Sequence, residues 1–143
     1  MAIKNQIIMR IRSLSENVGI ARVSAAAFAA QVDFTLNEIE EIKVAVSEAV
    51  SNAVIHGYEY QDGEIELRMT LYEGKLEYTV IDHGRGIADI ALARQPSYSS
   101  DPERMGLGFA FMESFMDELY IESNINEGTL VRMVKKTLLT TEH

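Results

Sequence analysis

One long amphipathic segment constrains the fold of this chain most. Thr35 to Glu38 form a capping box, in which the hydroxyl and the carboxylate each bond a backbone N–H at the start of a helix. The residues that follow place apolar side chains on one face until the chain reaches Gly57, a common stop signal. These side chains are Ile39, Ile42, Val46, Ala49 and Ala53. The pattern predicts a helix over 36–56 that packs one face against a core.

The other elements follow from the spacing of apolar residues, which is two in strands and three to four in helices. In chain order we expect a strand over 5–12, a helix from its N-cap Ser15 to just before Asp33, strands over 65–72 and 76–81 joined by a turn at 73–75, a helix over 109–116, and strands over 119–123 and 129–139. Both prolines lie within 91–108, which we expect to be a mobile loop. The order predicts one domain over 1–143 of the α+β class: a two-layer α/β sandwich with helices on one face of a mixed, mostly antiparallel sheet.

Composition limits the classes of function. The net charge of −9 disfavours direct nucleic-acid binding, because a binder of that kind gains affinity by placing Lys and Arg against phosphates. No apolar run is long enough to span a membrane, and the first residues lack the pattern of a secretory signal. With no cysteine there is neither a disulfide framework nor a thiolate metal site, so we expect a cytoplasmic protein.

Glu48 and Asn52 lie one turn apart on the long predicted helix, on a surface otherwise suited to burial. They are either a surface pair joined by a hydrogen bond or a functional pair. In the second case the Asn52 amide oxygen is a suitable ligand for Mg²⁺, and Glu48 can accept a proton from an attacking hydroxyl. His56 continues the row, although a histidine there also interacts favourably with the helix dipole.

Two acidic or hydroxyl side chains adjoin glycines at strand ends. The motif from Asp82 to Gly86, with Gly84 between them, is either an Asp-initiated turn or a site where the backbone approaches a flat ring. In the second case the Asp82 carboxylate can accept a hydrogen bond from an exocyclic amine such as that of adenine. Thr129 is either an ordinary strand residue or a hydroxyl that bonds the base, or bonds Asp82 through water.

Arg104 and the sequence Gly106-Leu107-Gly108 precede the helix predicted over 109–116. Such a segment is either a plain loop-to-helix junction or a phosphate site, in which backbone N–H groups face phosphate oxygens and Arg104 reaches the terminal phosphate. The chain lacks the P-loop motif and the glycine motif of dinucleotide-binding folds.

The ordered combination of these motifs resembles the N, G1 and G2 boxes of the GHKL superfamily, whose Bergerat-type ATP-binding fold gyrase and histidine kinases share. Within that superfamily the segments 21–23, 42–58, 93–96 and 111–118 are similar to the anti-sigma F factors of endospore-forming bacteria. Histidine kinases carry a helical dimerisation domain with a phosphoacceptor histidine before this fold, and the sequence shows no such domain.

The resemblance implies an anti-sigma factor that is also a serine protein kinase. It implies a homodimer that holds a sigma F type factor in an ATP-dependent complex and phosphorylates an anti-anti-sigma protein on serine, with ATP or ADP and Mg²⁺ as cofactors. The roles it implies are Glu48 as general base, Asn52 as Mg²⁺ ligand, Asp82 and Thr129 as adenine contacts, Gly84 and Gly86 as the base-side loop, Arg104 with Gly106, Leu107 and Gly108 as phosphate contacts, and Arg22 as the contact to protein partners.

Other functions remain open at this stage. The same fold serves switch kinases of the general stress response, which differ in their partner. The chain can also be a non-catalytic module that responds to ATP, for which Glu48 is dispensable, or a scaffold that binds no nucleotide. The edge of the sheet at the first strand is our candidate for the dimer surface.

Overall fold

A computed structural model describes residues 2–95 and 105–137 of the chain. Its elements are β1 (Ile3–Arg12), α1 (Glu16–Ala29), α2 (Leu36–Asn52), a π-helical turn (Ala53–Gly57), β2 (Glu64–Tyr72), β3 (Lys75–Asp82), α3 (Ile90–Ala93), α4 (Met105–Phe115), β4 (Glu118–Asn124) and β5 (Gly128–Lys136). The predicted order of strands and helices is therefore confirmed, with the short helix α3 added where the segment expected to be a loop begins; residues 96–104 of that segment lie outside the described residues. The predicted strand residues 138 and 139 lie outside the described part.

The five strands form one sheet in the order β1-β2-β3-β5-β4. All four pairings in the described sheet are antiparallel, so the expected two-layer α+β architecture is confirmed but the parallel component is not found. β2 and β3 are joined at Glu73 and Gly74, and Gly74 has a φ of 82°, which a glycine adopts without strain. β1 is an edge strand, as expected.

The helices cover one face of the sheet because β2 and β3 alternate buried and more exposed side chains. The buried apolar side chains of the sheet meet those of α1, α2 and α4, with α2 between the other two. The largest of them that are fully buried are Tyr78, Phe109, Ile42, Ile65, Leu67, Met69, Leu76, Met112 and Met133. The Tyr78 hydroxyl donates a hydrogen bond to the carbonyl of Ala25, at 2.7 Å, and so ties β3 to α1.

The opposite face of the sheet carries charged side chains. Arg132 on β5 lies 3.5 Å from a carboxylate oxygen of Glu77 on β3 and stacks over the ring of Tyr120 on β4. Arg10 on β1 similarly contacts Glu66 on β2, at 3.2 Å. Oppositely charged neighbours on adjacent strands stabilise the sheet modestly and make this face polar.

The capping box of α2 is present in full. The Thr35 hydroxyl accepts the N–H of Glu38 at 3.1 Å, and the Glu38 carboxylate accepts the N–H of Thr35 at 2.8 Å. Helical structure continues to Gly57, but its last five residues form a π-helical turn, which the apolar spacing did not predict. Ser15 precedes α1, yet its backbone is already helical and its side chain makes no capping hydrogen bond, so the prediction of a Ser15 cap is wrong.

A buried lysine joins the two layers near the end of α4. The Lys135 ammonium lies 3.0 Å from a Glu41 carboxylate oxygen on α2 and donates to the carbonyl of Phe115 at 2.6 Å. The same ammonium group thus forms an ion pair with Glu41 and caps the C-terminal end of α4. Of the helices described, none is long and apolar enough to cross a membrane.

Candidate active site

A pocket opens between the end of α2, the strands β3 and β5, and the start of α4. Its polar lining comes from four residues that the sequence analysis singled out: Asn52, His56, Asp82 and Thr129. Val80, Ile87, Met105, Phe109 and Val131 supply apolar walls. A pocket with apolar walls and a few converging polar groups is the usual form of a small-molecule site.

Asp82 is the most deeply buried acid of the site, with 6% of its surface exposed. One carboxylate oxygen, Oδ1, accepts the N–H of Gly84 at 2.8 Å. Burial raises the pKa of Asp82, and hydrogen bonds from the backbone of Gly84 and Thr129 partly oppose that rise. The side chain therefore occupies a low-dielectric position, where a hydrogen bond to a ligand is strong.

Gly84 is required because the Asp82–Gly86 loop lies directly against the end of α2. A Cβ atom at Gly84 would lie 2.1 Å from the carbonyl oxygen of Gly57, far inside contact distance. Gly86 has a φ of 75°, and a Cβ there would lie 2.1 Å from the carbonyl oxygen of Asn124. The loop thus fits between α2 and the turn joining β4 to β5 only with glycine at both positions.

Glu48 and Asn52 face the first turns of α4. A Cβ atom built at Gly108 would lie 3.0 Å from Glu48 Oε2 and 3.5 Å from both Oδ1 and Nδ2 of Asn52. The structure therefore brings these three residues together. Asn52 Nδ2 is buried and has no hydrogen-bond partner within the described ranges, so this donor is available to a ligand.

The glycines of the third motif lie inside a helix rather than before it. α4 begins by Met105, four residues earlier than predicted, so Gly106, Leu107 and Gly108 belong to its first turns. Glycine disfavours helices, but packing decides here, since a Cβ at Gly106 would lie 2.0 Å from the carbonyl oxygen of Gln95. Arg104 lies outside the described residues.

The backbone of Thr129 hydrogen-bonds Asp82, while its hydroxyl bonds a serine of the neighbouring strand. Its hydroxyl lies 2.8 Å from Ser123 Oγ, which also donates to the carbonyl of Gly128 and accepts the N–H of Ile87. Since the single hydroxyl proton of Ser123 goes to Gly128, the Thr129 hydroxyl is the donor between the two. This leaves acceptor capacity on Thr129, next to Asp82 in the sheet register. Ser123 was missed by the sequence analysis because a serine in a strand carries no distinguishing pattern.

Two further residues that sequence reasoning missed join the end of α2 to the Asp82 loop. The Tyr58 hydroxyl accepts the N–H of His83 at 2.8 Å and donates to the carbonyl of Glu64 at 2.6 Å. Arg85 donates from Nε to the carbonyl of His56 at 2.8 Å. Burial raises the pKa of Tyr58 above its ordinary value of 10.0, so the hydroxyl is a donor at neutral pH and stays one further into the alkaline range.

The side chains around the pocket fit a nucleotide whose own phosphates would supply most of the ligands of a metal ion. Among the described residues no group of three or more His, Cys, Asp and Glu side chains can enclose a metal ion. Mg²⁺ commonly takes only one or two protein oxygens beside phosphates and water, and Asn52 offers one such oxygen. Arg22 is exposed on α1 and is not among the residues that line the pocket.

Comparison with known families defines the class of protein. A family model described as "Histidine kinase-like ATPase domain" matches residues 11–135. The fold agrees with solved structures of that kind: the RsbU and RsbW domains of a Mycobacterium tuberculosis protein align with a TM-score of 0.65 and 22% identity, over 92% of this chain and 32% of that one. The chain belongs to the histidine kinase-like ATPase family.

Sequence relatives narrow the assignment. The chain is 47% identical over 135 residues to the anti-sigma F factor of Anoxybacillus flavithermus, which covers 92% of each chain. It is 46% identical over 136 residues to the anti-sigma F factor of a Clostridium botulinum strain, covering 93% of this chain and 95% of that one. Within the ATPase family, the chain therefore belongs to the anti-sigma F factors.

Proposed function

We propose that the protein is an ATP-dependent serine kinase that also inhibits a sigma F type factor. As a homodimer in the cytoplasm it holds sigma in an ATP-dependent complex, and it phosphorylates an anti-anti-sigma protein on serine. One observation carries the catalytic part: Glu48 and Asn52, one turn apart on α2, meet Gly108 at the start of α4, beside a pocket that contains Asp82.

Each pocket group has a role in this proposal. Asp82 accepts the exocyclic amine of adenine, and the acceptor capacity of Thr129 adds a second polar contact to the base or its water. Asn52 would hold Mg²⁺ through its amide oxygen, and the position of this amide beside Glu48 and against Gly108 at the start of α4 supports the assignment. When bound, Mg²⁺ supplies neutralisation of the phosphate charge.

Phosphate contacts are assigned to the start of α4. The first N–H groups of a helix lack partners within the helix, and Gly108 in this part of α4 adjoins Glu48 and Asn52. Arg104 and Leu107 complete this proposed phosphate site. Glu48 would accept the proton of the attacking serine hydroxyl, because phosphoryl transfer depends on orientation of the nucleophile more than on covalent chemistry.

Protein partners are assigned to other surfaces. Arg22 is exposed on α1, where it is free to contact sigma or the anti-anti-sigma protein. Among the described strands β1 is paired on one side only, and Ile7 and Ile8 on this strand are 45% and 46% exposed. An exposed apolar edge strand is a natural site for self-association, so we assign the homodimer contact to β1.

The test separates a kinase from a module that uses ATP only as a conformational ligand. Purified protein is incubated with Mg-ATP or Mg-ADP and with sporulating-cell extract, and captured proteins are mapped for phosphoserine. We expect a sigma factor and a small phosphoserine-bearing partner with ATP. Capture of neither, or of a phosphohistidine partner, contradicts the proposal.

Glu48→Gln sharpens this test. The variant should bind Mg-ATP within about twofold of the unchanged protein but lose transfer by a factor of roughly 100 or more, because loss of a general base costs about that much. Glu40→Gln, an exposed position on the same helix, is the matched control and should transfer normally. Normal transfer by Glu48→Gln would favour the non-catalytic module.

A further inference from the structure

The end of α2 and the Asp82–Gly86 loop are joined by hydrogen bonds that no part of the proposed chemistry uses. The N–H of Arg85 bonds the carbonyl of Gly57 at 2.9 Å, and the N–H of His83 bonds the Tyr58 hydroxyl at 2.8 Å. Arg85 Nε adds a bond to the carbonyl of His56. Together these contacts fix the peptides on both sides of Gly84 to the helix that carries Asn52.

The π-helical turn after α2 places its carbonyl groups where the Asp82–Gly86 loop can reach them. The N–H of Tyr58 bonds the carbonyl of Ala53, five residues back, at 2.9 Å, which closes the wider turn. Arg85 then donates to these last carbonyls in place of helical N–H groups: its Nε donates to the carbonyl of His56 and its backbone N–H to the carbonyl of Gly57. Tyr58 also bonds the carbonyl of Glu64, so its side chain links the loop to the start of β2.

We propose that the Tyr58 hydroxyl and the Arg85 guanidinium are positioning groups for base recognition. They hold the backbone next to Asp82 so that its carboxylate discriminates a purine that carries an exocyclic amine from one that lacks it. The proposal rests on the function proposed above, in which Asp82 reads adenine. We name Tyr58 and Arg85 the loop clamp.

The position of the clamp supports a role in recognition. The bond from His83 acts on the residue directly after Asp82, whose Oδ1 is already committed to the N–H of Gly84. A shift of this peptide therefore moves the carboxylate that faces the pocket. Arg85 also lies 3.4 Å from the Glu59 carboxylate, which orients the guanidinium toward the helix end.

The experiment measures discrimination rather than affinity alone. Dissociation constants for Mg-ATP and for Mg-purine riboside triphosphate, which lacks the amine at carbon 6, are measured by calorimetry for the unchanged protein, Tyr58→Phe and Arg85→Leu. We expect the preference for ATP to fall about three- to tenfold in each variant, the effect of losing an ordinary hydrogen bond. Arg85→Lys keeps a donor and should restore part of the preference.

Two controls test whether the effect is merely structural. Tyr78→Phe also removes a tyrosine hydroxyl bonded to a backbone carbonyl, but between β3 and α1. Arg68→Leu removes a similarly exposed arginine that pairs with Glu66 on the polar sheet face. Both should keep the full preference for ATP, even where Tyr78→Phe lowers the melting temperature.

The outcomes separate the inference from the function on which it rests. Unchanged preference in both clamp variants overturns the inference and leaves nucleotide binding standing. An unchanged protein that binds both triphosphates equally refutes Asp82 as the adenine reader, and with it the inference. Binding of neither triphosphate refutes the proposed function itself. Because Arg85 is exposed, Arg85→Leu decides the question should Tyr58→Phe fail to fold.

Discussion

Replacing Gly108 by alanine tests the contact between the two halves of the proposed active site. The new methyl group would lie 3.0 Å from Glu48 Oε2 and 3.5 Å from the amide atoms of Asn52. All of these atoms are ends of side chains, so they can move aside while the backbone of α4 stays in place. The variant should therefore fold and should displace the carboxylate assigned as the general base.

The magnitude follows from two opposing terms. Alanine is favoured over glycine in a helix by up to about 1 kcal/mol, and the displacement of a flexible side chain costs little. We expect Gly108→Ala to be as stable as the unchanged protein or more stable, with a melting temperature up to about 4 °C higher for a domain of this size. Misplacement of a catalytic group by a fraction of an ångström should lower transfer about tenfold or more.

Gly106→Ala is the matched control, because it makes the same exchange one half-turn away. Its methyl group would lie 2.0 Å from the carbonyl oxygen of Gln95, which is backbone and cannot rotate away. Overpacking of this kind costs about 1–3 kcal/mol, so the melting temperature should fall. Thermal unfolding and a phosphotransfer assay on both variants give the answer. A Gly108→Ala protein that is clearly less stable, or that transfers at the normal rate, refutes the reasoning.

Two other substitutions test whether the buried Asp82 carboxylate destabilises the fold and whether Lys135 stabilises the contact between sheet and helices. Asp82→Asn should weaken ATP binding about tenfold or more, because a hydrogen bond to a charged group is lost, and should raise the melting temperature without nucleotide. Burial raises the pKa of Asp82, so the ionised carboxylate opposes folding above that pKa. The rise in melting temperature on replacing it by asparagine should therefore disappear as the pH falls below the ordinary value of 3.8. Melting curves from pH 3 to pH 8 measure it, and a gain that persists at low pH contradicts this account. Lys135→Met should lower the free energy of unfolding by about 1–3 kcal/mol, because it leaves the carbonyl of Phe115 and the carboxylate of Glu41 without their buried partner. Denaturant unfolding tests this, and unchanged stability would show that water replaces the ammonium.

Local signals in the sequence were sufficient for most of the fold. The capping box at Thr35, the apolar stripe of α2 and the alternation in β2 and β3 each reflect one element's own hydrogen bonds and its buried face. The candidate residues Asn52, Asp82 and Thr129 were also found from sequence, and the structure places them around one pocket. Their roles stay proposals, and their proximity was expected from the resemblance to the GHKL motifs rather than from any local pattern.

What sequence did not predict depends on contacts between distant segments. The start of α4 was misplaced because Gly106 and Gly108 are poor helix formers, and only the approach of Gln95 and Glu48 explains why glycine is retained there. The roles of Tyr58 and Ser123 depend on backbone groups more than 20 residues away in sequence. A side chain that bonds a distant backbone group leaves no periodic pattern in its own segment.

Two polar groups of the proposed site lower the stability of the folded protein, and this supports a functional role for them. The Asp82 carboxylate is buried, and Asn52 Nδ2 is buried with no partner among the described residues. Both features cost folding free energy that an apolar residue would not. Elsewhere in the described core the Tyr78 hydroxyl and the Lys135 ammonium are paired, whereas Ser13 Oγ is buried without a partner among the described residues. At the pocket, the buried Asp82 carboxylate keeps capacity beyond its bond from Gly84, and Asn52 Nδ2 is a buried donor with no partner among the described residues, so a ligand with polar groups would complete both.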